Sequence, residues 1–143
     1  MEHGLRISEQ TDYIEIIPVR YSHPDIDNYY DKNWLDIHIN IKSGGFDGRY
    51  SANFQTSDFV LLHEQLEKLY QDLGHEFTFT TSEDQLKIKF KGDGIGHFTL
   101  DCTARDQSSM GSTLNFELFI DQTDLPQLLS QLKSIKSTFQ VLV

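Results

Sequence analysis

The chain has 143 residues, the usual size of a single domain, and we read residues 1–143 as one unit. A domain of this length buries about 68–70% of the surface its unfolded chain exposes, so its core needs neither disulfide nor metal. Twenty-two Asp and Glu against twelve Lys and Arg give a formal net charge of −10. That charge repels phosphate and anionic membrane surfaces, and argues against nucleic acid and membrane as partners. It serves solubility, and it also draws in a basic protein partner.

Ten phenylalanines, six tyrosines and a tryptophan exclude a disordered chain. The single cysteine, Cys102, excludes an intramolecular disulfide. It keeps step with Phe98 and Leu100, so it is expected on the buried face of a strand, as a quiet thiol. The first residues, Met-Glu-His-Gly-Leu-Arg, lack the basic start and apolar run of a signal peptide, and no stretch reaches the length of a membrane span. The expected location is the cytoplasm.

The first predicted strand covers residues 12–21, where Pro18 removes a ladder donor and marks an edge or a bulge. A polar loop follows over 22–33. Leu35, Ile37, Ile39 and Ile41 then alternate with Asp36, His38 and Asn40, the pattern of a half-buried antiparallel strand. After the turn Ser43-Gly-Gly45, a return strand places Phe46, Tyr50, Ala52 and Phe54 on one side and Asp47, Arg49, Ser51 and Asn53 on the other. At Thr56-Ser57-Asp58 the period changes. Phe59, Leu62, Leu66, Leu69, Tyr70 and Leu73 fall at helical spacing, with Ser57 or Thr56 as the expected cap and Gly74 as the stop.

Strands are predicted over Glu76–Thr81, Leu86–Lys91 and Ile95–Ala104, with Gly92-Asp-Gly94 as the turn between the last two. A polar loop from Arg105 to Gly111 leads to a final strand carrying Leu114, Phe116, Leu118 and Ile120. A second helix starts near Thr123, with Pro126 in its first turn and Leu125, Leu128, Leu129, Leu132 and Ile135 aligned. The start of this helix echoes the start of the first at an offset of 66 residues, which suggests a duplicated β-β-α unit. The expected fold is α+β: a largely antiparallel sheet of about six to eight strands, with two amphipathic helices packed on one face. The opposite face would show Asp36, His38, Asn40, Asp47, Arg49, His97, Thr99, Asp101 and Glu117 to water.

No spacing in the chain supports a metal or a cofactor. His-x-x-x-His, Cys-x-x-Cys and His-Glu-x-x-His are all missing, and Asp36-x-His38 alone is too few ligands for zinc. The acidic stretch Asp25–Asp31 has Tyr30 where a calcium loop needs glycine. Gly92-Asp-Gly-Ile-Gly96 runs from strand to strand, so it reads as a hairpin turn and not as a phosphate cradle. Ser108-Ser109 has no neighbouring base to activate it. An enzyme would require His38, His97 and Asp101, or the carboxylates of Asp36 and Asp101, to converge. A non-enzymatic binder is the better expectation.

Three stretches resemble the WapI-type immunity proteins of bacterial polymorphic toxin systems. They are Asn33-Trp34-Leu35 opening a strand, Ser57-Asp58-Phe59 opening a helix, and Phe119-Ile-Asp-Gln-Thr-Asp-Leu125 leading into a Leu-rich closing helix. The likeness spans residues 12–138. It implies a small cytoplasmic protein that binds and neutralises the C-terminal toxin domain, a nuclease, of a contact-dependent toxin. It carries over no catalytic residue. The candidate contact residues are Tyr29, Tyr30 and Asp31 of the loop, with Asp36, Asp47, Asp101 and Glu117 of the open sheet face. A monomer or weak homodimer is expected. An acidic adaptor or regulatory module of another system is the alternative reading.

Overall fold

Strand formation starts earlier than residue 12. The computed structural model describes residues 4–143, and its first strand is β1, Leu5–Glu9. The first three residues, part of the N-terminal stretch considered above for a leader, lie outside the described residues. The chain continues through β2 (Asp12–Tyr21), the one-turn helix α1 (Tyr29–Lys32), β3 (Trp34–Ser43), β4 (Phe46–Gln55) and α2 (Thr56–Gln71). It then forms β5 (Glu76–Thr80), β6 (Leu86–Gly92), β7 (His97–Gln107), β8 (Met110–Asp121), a 3₁₀ turn (Gln122–Asp124) and α3 (Leu125–Thr138).

Among the described residues, eight strands pair antiparallel, in two sheets of four and not in one. The first sheet has the order β1-β2-β3-β4 and the second β5-β6-β7-β8. Alternation buries one face of each. In β3, Leu35, Ile37, Ile39 and Ile41 are buried, and in β7 so are Phe98, Leu100, Cys102 and Ala104. Pro18 marks a bulge, where the register of β2 against β3 shifts between Pro18 and Arg20, and it lies beyond Ile16, the last β2 residue that β1 pairs among the described residues. The loop expected at Arg105–Gly111 is shorter than its polarity suggests. β7 and β8 stay paired to Gln107 and Met110, and the bend is made near Ser109, whose φ is 57°.

The helices close the core. Phe59, Leu62, Leu66 and Leu69 of α2, and Leu125, Leu128, Leu132 and Ile135 of α3, are all buried. Full burial of each such side chain contributes about 1.5–3 kcal/mol. The two helices pack on each other, and each reaches the first strand of the other half: α2 meets β5, and α3 meets β1.

The echo at 66 residues extends into the caps. In α2 the Asp58 carboxylate accepts the Gln55 amide at 2.8 Å; before α3 the Asp124 carboxylate accepts the Asp121 amide at 3.0 Å. The N-cap of α2 is therefore Gln55, one residue before the expected pair. Its reciprocal bonds with Asp58 satisfy donors that Ser57 would otherwise serve. The helix ends at Gln71 and leaves through an extended Asp72, before Gly74 is reached. Because each long helix follows four strands, the repeated unit is β-β-β-β-α, larger than the β-β-α unit read from the sequence.

Candidate partner-binding surface

The longest interruption between paired strands is residues 22–33, linking β2 to β3. Its end is ordered by short-range chemistry. The Asn28 side chain caps α1, accepting from the amides of Tyr30 at 3.0 Å and Asp31 at 3.3 Å. That cap turns part of the expected polar loop into a helical turn. No side chain of α1 is buried. Tyr30 is 71% exposed, and its ring meets that of Tyr29 edge-on with centroids 5.8 Å apart.

Asn33, directly after α1, anchors this corner from below and is itself buried. Its Nδ2 donates to the Tyr29 carbonyl at 2.8 Å and to the Leu142 carbonyl at 2.9 Å. Its Oδ1 accepts from the Leu142 amide at 2.8 Å and from the Thr56 hydroxyl at 2.9 Å. The segment after α3 is thus held against α1. The Tyr21 hydroxyl donates to the Gln140 carbonyl at 2.7 Å, and Lys32 Nζ donates to the Val143 carbonyl at 2.7 Å. The Tyr21 ring lies 5.7 Å from that of Phe139.

Asp36 stands at the same end of the first sheet. It accepts from the Ser22 hydroxyl at 2.6 Å and from Asn53 Nδ2 at 3.1 Å, and Arg20 Nε lies 3.3 Å from its carboxylate. Ser22, Asp36 and Asn53, with His23, Trp34 and Glu83, line an open groove of about 410 Å³. Asp47 belongs to the same sheet but to its other end, opposite Lys42 beside the β3–β4 turn. Asp101 and Glu117 lie on the second sheet, directly opposite each other on β7 and β8. Like charges in that position repel. Tyr29, Tyr30, Asp31 and Asp36 therefore share one end of the first sheet, whereas Asp47 and the Asp101–Glu117 pair stand elsewhere.

The histidines do not converge. His38 is exposed on the first sheet; His97 is exposed on the second, where its Nδ1 lies 2.8 Å from Asp93. Backbone amides of Ile95 and His97 hold the Asp93 carboxyl down at about 2. These bonds build the turn at Gly94 and Gly96, where φ is positive. Among the described residues no group of three His, Cys, Asp or Glu side chains is placed to hold a metal. Burial, then the Asp101 and Glu117 carboxylates, push the Cys102 thiol up to about 12.

Two features of the corner escape a reading by element. Asn33 enters the sequence reading only as the first residue of Asn33-Trp34-Leu35, and three of its four bonds go to Leu142 and Thr56, distant in sequence. The run Phe139-Gln-Val-Leu-Val143 was a visible signal, an apolar stretch continuing past the end of a helix.

Among solved structures, the chain is similar to one described as crystal structures of Trypanosoma bruciei MRP1/MRP2. The TM-score is 0.52 at 10% identity, over 98% of this chain and 88% of that one, a likeness of fold alone. A search of curated proteins returns no match. The model of the immunity protein WapI-like family matches residues 5–140, nearly the whole fold. The chain belongs to the WapI-like immunity protein family.

Proposed function

We propose that the chain protects a bacterial cell by binding the C-terminal domain of a contact-dependent polymorphic toxin in the cytoplasm, and that it does so without catalysis. The observation that carries this reading is the family match over residues 5–140. Charge supports the finer claim that the toxin domain is a basic nuclease. A nuclease gathers cations to hold phosphates, and a partner with a net charge of −10 is steered toward them.

The contact uses Tyr29, Tyr30, Asp31 and Asp36, with Asp47, Asp101 and Glu117 contributing to the long-range field. Tyrosines supply contact area at low entropic cost, and carboxylates supply orientation. The test is survival: the toxin domain encoded directly upstream is expressed with and without this chain, and viable cells are counted. Rescue supports the reading. Killing that continues beside a folded, abundant chain refutes it and leaves the adaptor reading.

A further inference from the structure

The α1 corner and the segment after α3 are held together by Asn33 from beneath. Among the described residues twelve large apolar side chains are exposed, and six of them gather here: Ile26, Tyr29 and Tyr30 from the β2–β3 connection, and Val141, Leu142 and Val143 from the closing segment. The other six are spread over hairpin tips, β8 and the outer face of α2. Scattered apolar residues are ordinary on a surface, whereas a cluster from two distant parts of the chain marks an interaction site.

The rest of the chain supplies a comparison. In the second half, the connection between the corresponding strands, β6 and β7, needs only residues 93–96. The second half thus makes the corresponding connection in a third of the length, and the longer 22–33 also braces the start of α2, where Tyr30 and Asn33 carbonyls accept from the Gln55 side chain and the Thr56 amide.

We infer that residues 26–31 and 140–143 form one composite docking surface for the basic face of the toxin domain, with Asn33 as its positioning residue. The inference rests on the proposed immunity function and names its contact. The occupant follows from charge complementarity. Asp25, Asp27 and Asp31 border the apolar cluster, and Lys32, the one cation in the 22–33 connection, already gives its ammonium to the Val143 carbonyl. An apolar centre ringed by carboxylates suits a partner that presents aliphatic side chains among lysines and arginines. The Asn33 amide bonds the Leu142 backbone on both sides, as a neighbouring strand would, so the closing segment and α1 keep a fixed relation before any partner arrives. That preorganisation lowers the ordering cost of association.

The experiment measures affinity for the purified upstream-encoded toxin domain, alongside melting temperature and amide exchange. Tyr30→Ala changes a side chain that is mostly in water, so the melting temperature should hold while affinity falls at least about tenfold. Val141→Asp should do the same. Asn33→Ala should weaken binding and also speed exchange at the α1 amides, and Asn33→Asp, which keeps the acceptor for Leu142 and Thr56 but turns the donor to Tyr29 and Leu142 into a second acceptor, should recover neither. Full affinity in both Tyr30→Ala and Val141→Asp, with wild type binding tightly, overturns the surface and leaves the immunity function standing. No binding by wild type overturns the function itself. A wild-type dimer in sedimentation that Tyr30→Ala dissociates overturns the toxin as occupant and gives the surface to a second copy.

Discussion

Replacing Asp58 by alanine is expected to destabilise the fold by about 3 kcal/mol, and the value can be traced to individual bonds. Asp58 is 4% exposed. Its carboxylate accepts the Gln55 amide at 2.8 Å and the Ser82 hydroxyl at 3.1 Å, with the Ser82 amide at 3.4 Å. It therefore caps α2 and ties that helix to the turn between β5 and β6. A hydrogen bond to a charged group contributes about 1.5–3 kcal/mol, and a buried donor left without a partner costs a comparable amount. The Ser82 groups are partly buried and recover some of this through water. For a chain of this length about 3 kcal/mol lowers the melting temperature by about 10 °C.

The matching residue, Asp124, provides an internal control. It makes the same capping bond to Asp121 but is more exposed and is tied to no second element. Asp124→Ala should cost about 1 kcal/mol. Desolvation raises the Asp58 pKa despite these hydrogen bonds, so folding favours its protonated form. Its contribution is complete below the unfolded value of 3.8 and declines as pH rises through the folded value. Relative to wild type, Asp58→Asn should therefore gain stability as pH rises above 3.8, because it lacks the ionisation that burial penalises. Melting curves of the three variants across pH test this. A shift under about 3 °C for Asp58→Ala, or equal shifts for Asp58→Ala and Asp124→Ala, would refute the assignment of the tie to Ser82.

Gly92→Ala should destabilise strongly, because an added Cβ would overlap the Leu73 carbonyl oxygen, a backbone atom with no rotamer to yield; denaturant unfolding should show a loss above about 2 kcal/mol. His63 is held neutral by burial and by Lys136, whose Nζ lies 2.8 Å from Nδ1; Lys133 acts in the same sense, and Glu67 and Glu64 oppose. Its folded pKa is lowered, so its contribution is present above 6.5 and lost as pH falls through the folded value. Melting temperature should drop between pH 7 and 5 in wild type and drop less in His63→Gln. Cys102, with its thiol pushed up to about 12 and buried, should resist an aromatic disulfide reagent in the native state and react on unfolding; prompt native labelling would contradict its placement.

Side-chain alternation made the strand faces legible. Leu35 to Ile41 and Leu114 to Ile120 were read on the buried side from period two, and of these only Leu114 stays partly exposed. Helical spacing likewise identified most of the buried stripe of both long helices, but Tyr70 at the end of α2 is exposed, Leu73 and Leu129 are only partly buried, and Phe46, placed with the inner residues of β4, is exposed beside the β3–β4 turn. What alternation cannot carry is which strand neighbours which, so eight strands in two sheets read as one. The candidate residues suffered most from this. Asp36 and Asp101 have the same pattern in sequence yet belong to different sheets. β1 was missed because Leu5 and Ile7 alone supply its alternation, and α1 was missed because one side-chain cap, Asn28, creates it. Tyr29, Tyr30 and Asp31 are candidates from composition alone, aromatics beside aspartates, a choice that needs no knowledge of pairing; the structure places them together on α1.

The two halves also show how one packing problem was solved twice. The chain leaving α2 crosses the β6–β7 connection through backbone bonds alone: Gly94 donates to the Leu73 carbonyl at 3.0 Å and Gly92 to the His75 carbonyl at 3.2 Å. Glycine at 92 permits that approach, since any side chain there would strike the Leu73 carbonyl. The chain leaving α3 meets the corresponding β2–β3 connection, but there the bonds come from the Asn33 amide, with both its carbonyl oxygen and its nitrogen engaged by Leu142. Glycine lets main chain meet main chain at one junction; asparagine joins the other through its side chain. The difference between the halves lies where α1 is displayed, which is why the contact surface is sought in the first half and not in its repeat.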